Sequence, residues 1–540
     1  MMRAVIALWR VMVRRDALQL TLWILGNALM ALVAIGGVNQ SYGTLDQRRE
    51  LLATVMANPV ILLFRGLPSG PDHAPFVLFL ILPFLVMIAA FMSSFLAVRH
   101  TRADEEEGRT ELIGATPAAR GSAFTATVLH GVVANLLTAV MIALAFIVGG
   151  LPVGGSFVAG AAVGAAGLSF LAIALLGAQL FSTSRGANTF GVAMIMITFL
   201  MCGFGNASGT PSADLTRMTS GPLAWFSPFG WAENTRPFAD DDVRPILLCV
   251  GFAIVVGAVS AVLLHARDVG ASFVPGRRGP QRASWALRGP TSMVWRFVRS
   301  GVLWWAVGSF FTGALATGLA SVVGTAAKDN AALAKVLTSL TQGGSLVAGT
   351  VTIFMTMVGV LASCAVVQVM VRARQEEARG SVEPVWAAPV GRQRWLLGYV
   401  INAAVTIVIV CLAAVLGAAA GLAKSGPDAE AMRDAWIVVG GQAAAAGVFI
   451  VVAALLVILL PRASVAVSWA LVLVAVVVGF FGPIFGLPQG FAHVSPIADA
   501  PTIGASGTDL RGLWWLLAVI VVGVAASLVL VRRRPLVPAG

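Results

Sequence analysis

Charge is scarce in this chain. Of its 540 residues 11% are Asp, Glu, Lys or Arg, where a soluble globular protein carries roughly 25%, and 58% are apolar. Such a chain cannot cover a water-facing surface, which excludes an ordinary soluble enzyme. Lysine is nearly missing, with only Lys328, Lys335 and Lys424. A phosphate-cradling loop ends in Gly-Lys-Ser/Thr, and the one lysine that precedes a serine, Lys424, follows Ala423. No nucleotide-hydrolysing loop is therefore expected in this chain. Cysteine is sparse too: Cys202, Cys249, Cys364 and Cys411 fall in apolar stretches without CxxC spacing, which argues against a disulfide framework or a cysteine metal site.

What is present is a succession of apolar segments, each near the ~20 residues that carry a helix through a hydrocarbon core. They run over 18–38, 76–98, 122–147, 153–182, 187–205, 246–266, 301–326, 345–370, 395–421, 435–460, 463–485 and 513–531. The expected fold is an all-α polytopic membrane protein of about twelve transmembrane helices. No small-residue cleavage pattern follows the basic N-terminus (Arg3, Arg10, Arg14, Arg15), so the first span is expected to be retained. Of the 36 Lys and Arg, 25 fall on the side that holds both termini, and the positive-inside rule places that side in the cytoplasm. The net charge of +12 thus reflects topology; nucleic-acid binding would need basic residues clustered on a folded face with stacking aromatics. Few lysines with abundant Ala, Gly and Val suggest high-GC bacterial coding, and hence a multi-pass protein of the bacterial cytoplasmic membrane.

Under this assignment every Asp, Glu, Lys and Arg lies in a loop or at a span edge, and only His130 and His265 remain inside spans. A membrane-buried carboxylate would mark an ion pathway, and its absence speaks against a proton- or sodium-coupled pump.

The chain repeats itself. After span 2 it reads Arg102, Ala103, Asp104, Glu105, Glu106, Glu107, Gly108, Arg109; after span 8, Arg372, Ala373, Arg374, Gln375, Glu376, Glu377, Ala378, Arg379. With a two-residue insertion, both continue as Glu, Pro, Arg: Glu111, Pro117, Arg120 and Glu383, Pro389, Arg392. Trp9-Arg10 is echoed by Trp295-Arg296, and Ser227-Pro228 by Ser495-Pro496. The organisation expected is a first six-span half over 1–266, a basic cytoplasmic linker over 267–300 and a second six-span half over 301–540.

In the first loop Arg102 and Glu106, Glu105 and Arg109, and Glu107 and Glu111 are four apart, as are Arg372 and Glu376, and Arg379 and Glu383, in the second. A helix through either loop has a charged face. Such pairs stabilise a helix by only about 0.2–0.5 kcal/mol each, so their charge is better explained by what the helix meets. Leu112 and Ile113, and Val385 and Trp386, add an apolar side. Pro117 and Pro389 suit the first turns of spans 3 and 9, with Arg120 and Arg392 at the headgroup edge.

These two loops resemble the cytoplasmic loop of type 2 ABC exporter permeases, in particular the fused twelve-span group associated with export of tetronasin and other polyketide antibiotics. Span count, the long external loops after spans 1 and 5, and both motifs carry the resemblance over nearly the full length; Ala378 in place of Gly108 and the insertion set the second copy apart. The resemblance implies that two separately encoded ABC ATPase subunits, which bind ATP and Mg2+, dock on the loops as coupling helices. It also implies that residues 1–15 form an interfacial elbow helix. The chain itself is then not an enzyme and holds no cofactor; its other partners are the bilayer and a hydrophobic or amphiphilic small-molecule substrate. His130, Met194, Met196 and Phe199, with Phe354 and Met357, are candidates for the substrate path. A major facilitator is the closest alternative, although its corresponding loop is shorter and less rich in glutamate. Asp240, Asp241 and Asp242 read as a solvated external turn.

Overall fold

Lipid offers the backbone no hydrogen-bond partner, so a chain crossing it closes its hydrogen bonds within helices. The computed structural model describes residues 2–57, 62–116, 118, 121–274, 289–329, 346–425, 428–481, 495–501, 503–504, 507–508 and 511–533. Among the described residues ten helices are long and apolar enough to cross a bilayer. The chain is an all-α polytopic membrane protein.

Two compact units divide it. The first, Met1–Gly279, holds α1 (Met2–Ser41), the short α2 (Leu45–Ala57), α3 (His73–Val98), the short α4 (Arg109–Gly114), α5 (Ser122–Val148), α6 (Val153–Leu180), α7 (Ser184–Ala207), the short α8 (Pro228–Asn234) and α9 (Arg244–Ala266). The second, Pro280–Gly540, holds α10 (Pro290–Asp329), α11 (Leu346–Ala378), the short α12 (Glu383–Ala387), α13 (Arg392–Ser425), α14 (Ala429–Leu459), α15 (Ser464–Val476) and α16 (Arg511–Leu530). Ten of the predicted spans coincide with the ten long apolar helices; the other two, 301–326 and 463–485, fall on α10 and α15, and residues 482–485 lie outside the described set. Each unit repeats one packing order: α5 lies on α1, α6 on α3 and α9 on α6, just as α13 lies on α10, α14 on α11 and α16 on α14.

Residues 2–15 do not form the separate elbow helix expected for them. No glycine or proline occurs before Gly26 to break the chain, and α1 runs unbroken from Met2 to Ser41. At 1.5 Å per residue it is ~60 Å long, about twice the hydrocarbon thickness. Of the expected linker, Arg267–Ala271 fold back onto the first unit, residues from Pro290 onward belong to α10, and 275–288 lie outside the described residues.

Small residues let α6 approach α5. A methyl group at Gly160 would overlap the carbonyl oxygen of Ala139, and one at Gly164 would lie 2.9 Å from the Asn135 carbonyl oxygen. Gly251, by contrast, faces open space on α9. Gly160→Ala should therefore lower the thermal midpoint of the detergent-solubilised protein, because backbone must move. Gly251→Ala should leave it unchanged or raise it, since alanine is about 1 kcal/mol the better helix former; thiol-dye melting curves of the two variants measure both signs.

Pro83 interrupts the hydrogen-bond ladder of α3, which frees the carbonyl of Phe79. The Gly66 amide of the preceding loop takes it at 2.9 Å, and the Arg65 guanidinium donates to the neighbouring Leu80 carbonyl at 3.2 Å. That end of the unit also buries Glu233 of α8, which accepts from the Asn206 side-chain amide at 2.6 Å. Burial pushes the Glu233 carboxyl up to about 7, from an ordinary 4.5, against the pull of the Asn206 hydrogen bond. The folded state holds this proton more tightly than the unfolded one. Its stabilising effect is full below about pH 4.5 and is lost as pH rises through about 7. Glu233→Gln should flatten the dependence of thermal midpoint on pH across that window; an unchanged slope would assign it to other groups.

Candidate functional site: the turns that end α3 and α11

Beyond Val98, α3 widens into a π turn, Arg99–Ala103, and closes with one α turn, Asp104–Glu106. Gly108 then reverses the chain at φ +72°, a conformation that favours glycine, and α4 follows. This geometry undoes the straight-helix spacing, so the expected pairs four apart are not made. Arg102 pairs with Glu105 at 2.8 Å rather than with Glu106. Arg109 pairs with Asp104 at 2.6 Å and with Glu107, and Glu105 turns inward.

Glu105 is the centre of a buried polar knot. Its carboxylate receives both terminal nitrogens of Arg267 at 2.7 Å, Arg102 at 2.8 Å and the Gly270 amide at 2.6 Å. Arg102 also donates to the Ala271 carbonyl at 2.8 Å, and Arg267 reaches Gln179 Oε1, near the end of α6, at 2.8 Å. The ends of α3, α6 and α9 are thus tied at one point. Left facing solvent are Glu106, Glu107, Glu111 and Leu112. Pro117 and Arg120 lie outside the described residues.

The second turn repeats the first in a register that the sequence reading missed. Gly380 takes φ +70°, and its amide bonds the Glu377 carbonyl at 3.1 Å, as the Gly108 amide bonds the Glu105 carbonyl at 3.1 Å. Aligned on these glycines, the two copies share Arg-x2-Glu-x2-Gly-x2-Glu-x5-Pro-x2-Arg without any insertion: Arg102, Glu105, Gly108, Glu111, Pro117, Arg120 and Arg374, Glu377, Gly380, Glu383, Pro389, Arg392. Arg374 and Glu377 are buried and face each other at 3.4 Å, in the manner of Arg102 and Glu105. Glu376 is buried as well, whereas Arg379 and Glu383 are exposed. Arg372 instead lies over the Phe297 ring at 5.4 Å, and Arg392 over Trp386 at 5.2 Å. Pro389 sits in the turn ahead of α13, three residues before its first residue, and not in its first turn.

The proposed path residues separate by unit. In the first, Phe199 packs edge-on against Phe229 with centroids 5.5 Å apart, while Met194 and Met196 are part-buried beside the same core. In the second, Phe354 is part-buried and Met357 exposed. His130 is buried on α5 with Nε2 3.3 Å from Asp16 Oδ2. Asp16 itself, expected at a span edge, is buried within α1, a carboxylate that charge counting could not find. Of the aspartates 240–242, Asp240 pairs with Arg217 and Arg236, and Asp242 with Arg244.

Together these features define a helical membrane protein with one elaborated turn at the end of a long span in each unit. Residues 287–532 match the family described as the C-terminal domain of the multidrug efflux system permease Rv1217c. Over 533 residues the chain is 28% identical to the multidrug efflux system permease protein Rv1217c of Mycobacterium tuberculosis (strain ATCC 25618 / H37Rv), an alignment that covers 98% of this chain and 94% of that protein.

Proposed function

We propose that this chain is the membrane permease of a multidrug efflux system of the type 2 ABC exporter kind, related to the fused group that exports tetronasin-like antibiotics. Two separately encoded ATPase subunits bind ATP and Mg2+ and engage the exposed faces of the two turns. The observation that carries this reading is the matched pair of turns. In each, a buried Arg–Glu pair and a left-handed glycine fix a short exposed helix to the end of a long span. The resemblance to an efflux permease along nearly the whole chain supports it.

Closure of the ATPases on ATP draws the two short helices, and the spans rigidly joined to them, towards an outward-open state; hydrolysis resets them. This chain supplies two states with different substrate affinity, and the partner supplies the energy. A proton-coupled transporter is the rival reading, favoured by the buried carboxylate Asp16. Inside-out vesicles carrying the chain and its ATPase discriminate between them. With ATP regenerated and a protonophore present, uptake of a hydrophobic fluorescent dye should persist; its collapse under those conditions, with ATP maintained, would establish the rival.

A further inference from the structure

One polar cluster lies outside the turns' exposed faces and takes no part in the proposed coupling. Asp16 of α1, His100 of the π turn and His130 of α5 are all buried, and they come from three separate elements. Both imidazoles direct Nε2 at the same atom, Asp16 Oδ2, with His130 at 3.3 Å and His100 in closer contact. The two rings meet edge to face with centroids 5.5 Å apart. One ligand atom from each residue lies within 4.8 Å of the others.

In this structure the two imidazoles are hydrogen-bonded to the carboxylate, yet two imidazoles and one carboxylate brought together from three elements are also a donor set that a zinc-class ion takes. Nitrogen and oxygen ligands stand ~2.0–2.2 Å from zinc, so two of them in a tetrahedral site are ~3.3 Å apart. The His130–Asp16 separation has this value, whereas His100 stands closer to Asp16 and has to draw back for an ion to enter. The Asp104 carboxylate lies 3.7 Å from Nδ1 of His100, which has no hydrogen-bond partner; a closer approach as an ion enters would supply the bond that commonly orients a metal-bound histidine. Arg99 takes the other oxygen of Asp16 at 3.0 Å, which leaves Oδ2 for a monodentate bond. The guanidiniums of Arg15, Arg99 and Arg109 around the cluster weaken attraction for a cation. Each is about one-third or more exposed, so solvent screens them, and Asp104 offsets part of their charge. His100 also lines a cavity of about 60 Å³ shared with Glu105, Gln179 and Arg267.

We propose that Asp16, His100 and His130 bind one divalent transition-metal ion of the zinc class, with water as fourth ligand, which clasps α1 to the ends of α3 and α5. Softer monovalent metals are disfavoured by the absence of sulfur from the ligand set, and Mg2+ and Ca2+ by its two imidazoles.

The test uses the full-length chain, purified in detergent through a tag that contains no histidine. After chelation and dialysis, titration with Co2+ should give the visible ligand-field bands of a four-coordinate site, saturating at one equivalent, and Zn2+ should displace it. His130→Asn should weaken Co2+ binding by more than the roughly 10–100-fold that loss of a second-shell partner causes. Monodisperse wild-type protein without those bands overturns the proposal, and that result does not depend on any variant folding. A folded His130→Asn protein that binds Co2+ as wild type does would overturn it equally.

Discussion

Glu105→Ala should destabilise the first unit by about 3–5 kcal/mol, the effect of removing one partner from a buried ion pair and stranding the other. Here two guanidiniums lose their carboxylate, those of Arg102 and Arg267, whose side chains are 1% and 6% exposed. Neither can turn to water without opening the junction of α3, α6 and α9. The native thiols provide the measurement, since Cys202, Cys249 and Cys411 are buried and Cys364 is part-buried. A thiol-reactive dye should report a sharply lower melting midpoint for Glu105→Ala. Removing Arg267 as well should recover part of the loss, because the double variant leaves one fewer buried guanidinium without its carboxylate. Glu377→Ala should behave similarly in the second unit, where the Glu377 side chain is fully buried. A midpoint shift for Glu105→Ala no larger than that of an ordinary surface substitution would show that the knot does not brace the turn.

The second large effect concerns the opposite face of the same turn. Glu106, Glu107 and Glu111 are exposed, so replacing all three by lysine should change stability little, within about 0.5 kcal/mol per site. Function should respond very differently. A docking surface whose charge sign is reversed meets like charge on its partner, which costs several kcal/mol in an interface. The variant should insert and melt like wild type, fail to co-purify with the ATPase subunits and support dye uptake only at background. The inward Glu105 and the outward Glu106 are adjacent in sequence, so the contrast between them separates bracing the turn from docking on it.

Much of the fold was legible because lipid leaves few choices. Apolar runs of spanning length can satisfy their backbones only as helices, and hydropathy located those helices, although α1 starts at Met2 and α10 at Pro290, well ahead of the spans read from residues 18 and 301. The continuity of α1 was less visible, because Arg14, Arg15 and Asp16 look like a membrane edge, whereas helix propensity carries the chain through them. Which glutamate turns inward was hidden for a different reason: Arg267 lies far along the chain from Glu105, and the π turn shifts the angular positions of every residue after Arg99. The shared register of the two turns was present in the sequence. The conspicuous Arg-Ala pairs at 102–103 and 372–373 obscured it, and the left-handed glycines Gly108 and Gly380 reveal it. Asp16, His100 and His130 meet only through tertiary packing, so no local pattern announced them.

The central claim is that the outward faces of both turns meet a nucleotide-hydrolysing partner on the inner side of the membrane. Single cysteines at Glu106 and Glu383, in a background without the native thiols, test it by reaction with a membrane-impermeant maleimide. Both positions should label in inside-out vesicles, remain unlabelled in intact cells, and become protected when the ATPase subunits are bound. Labelling from outside intact cells, or labelling in inside-out vesicles that is indifferent to the ATPase, would contradict the account.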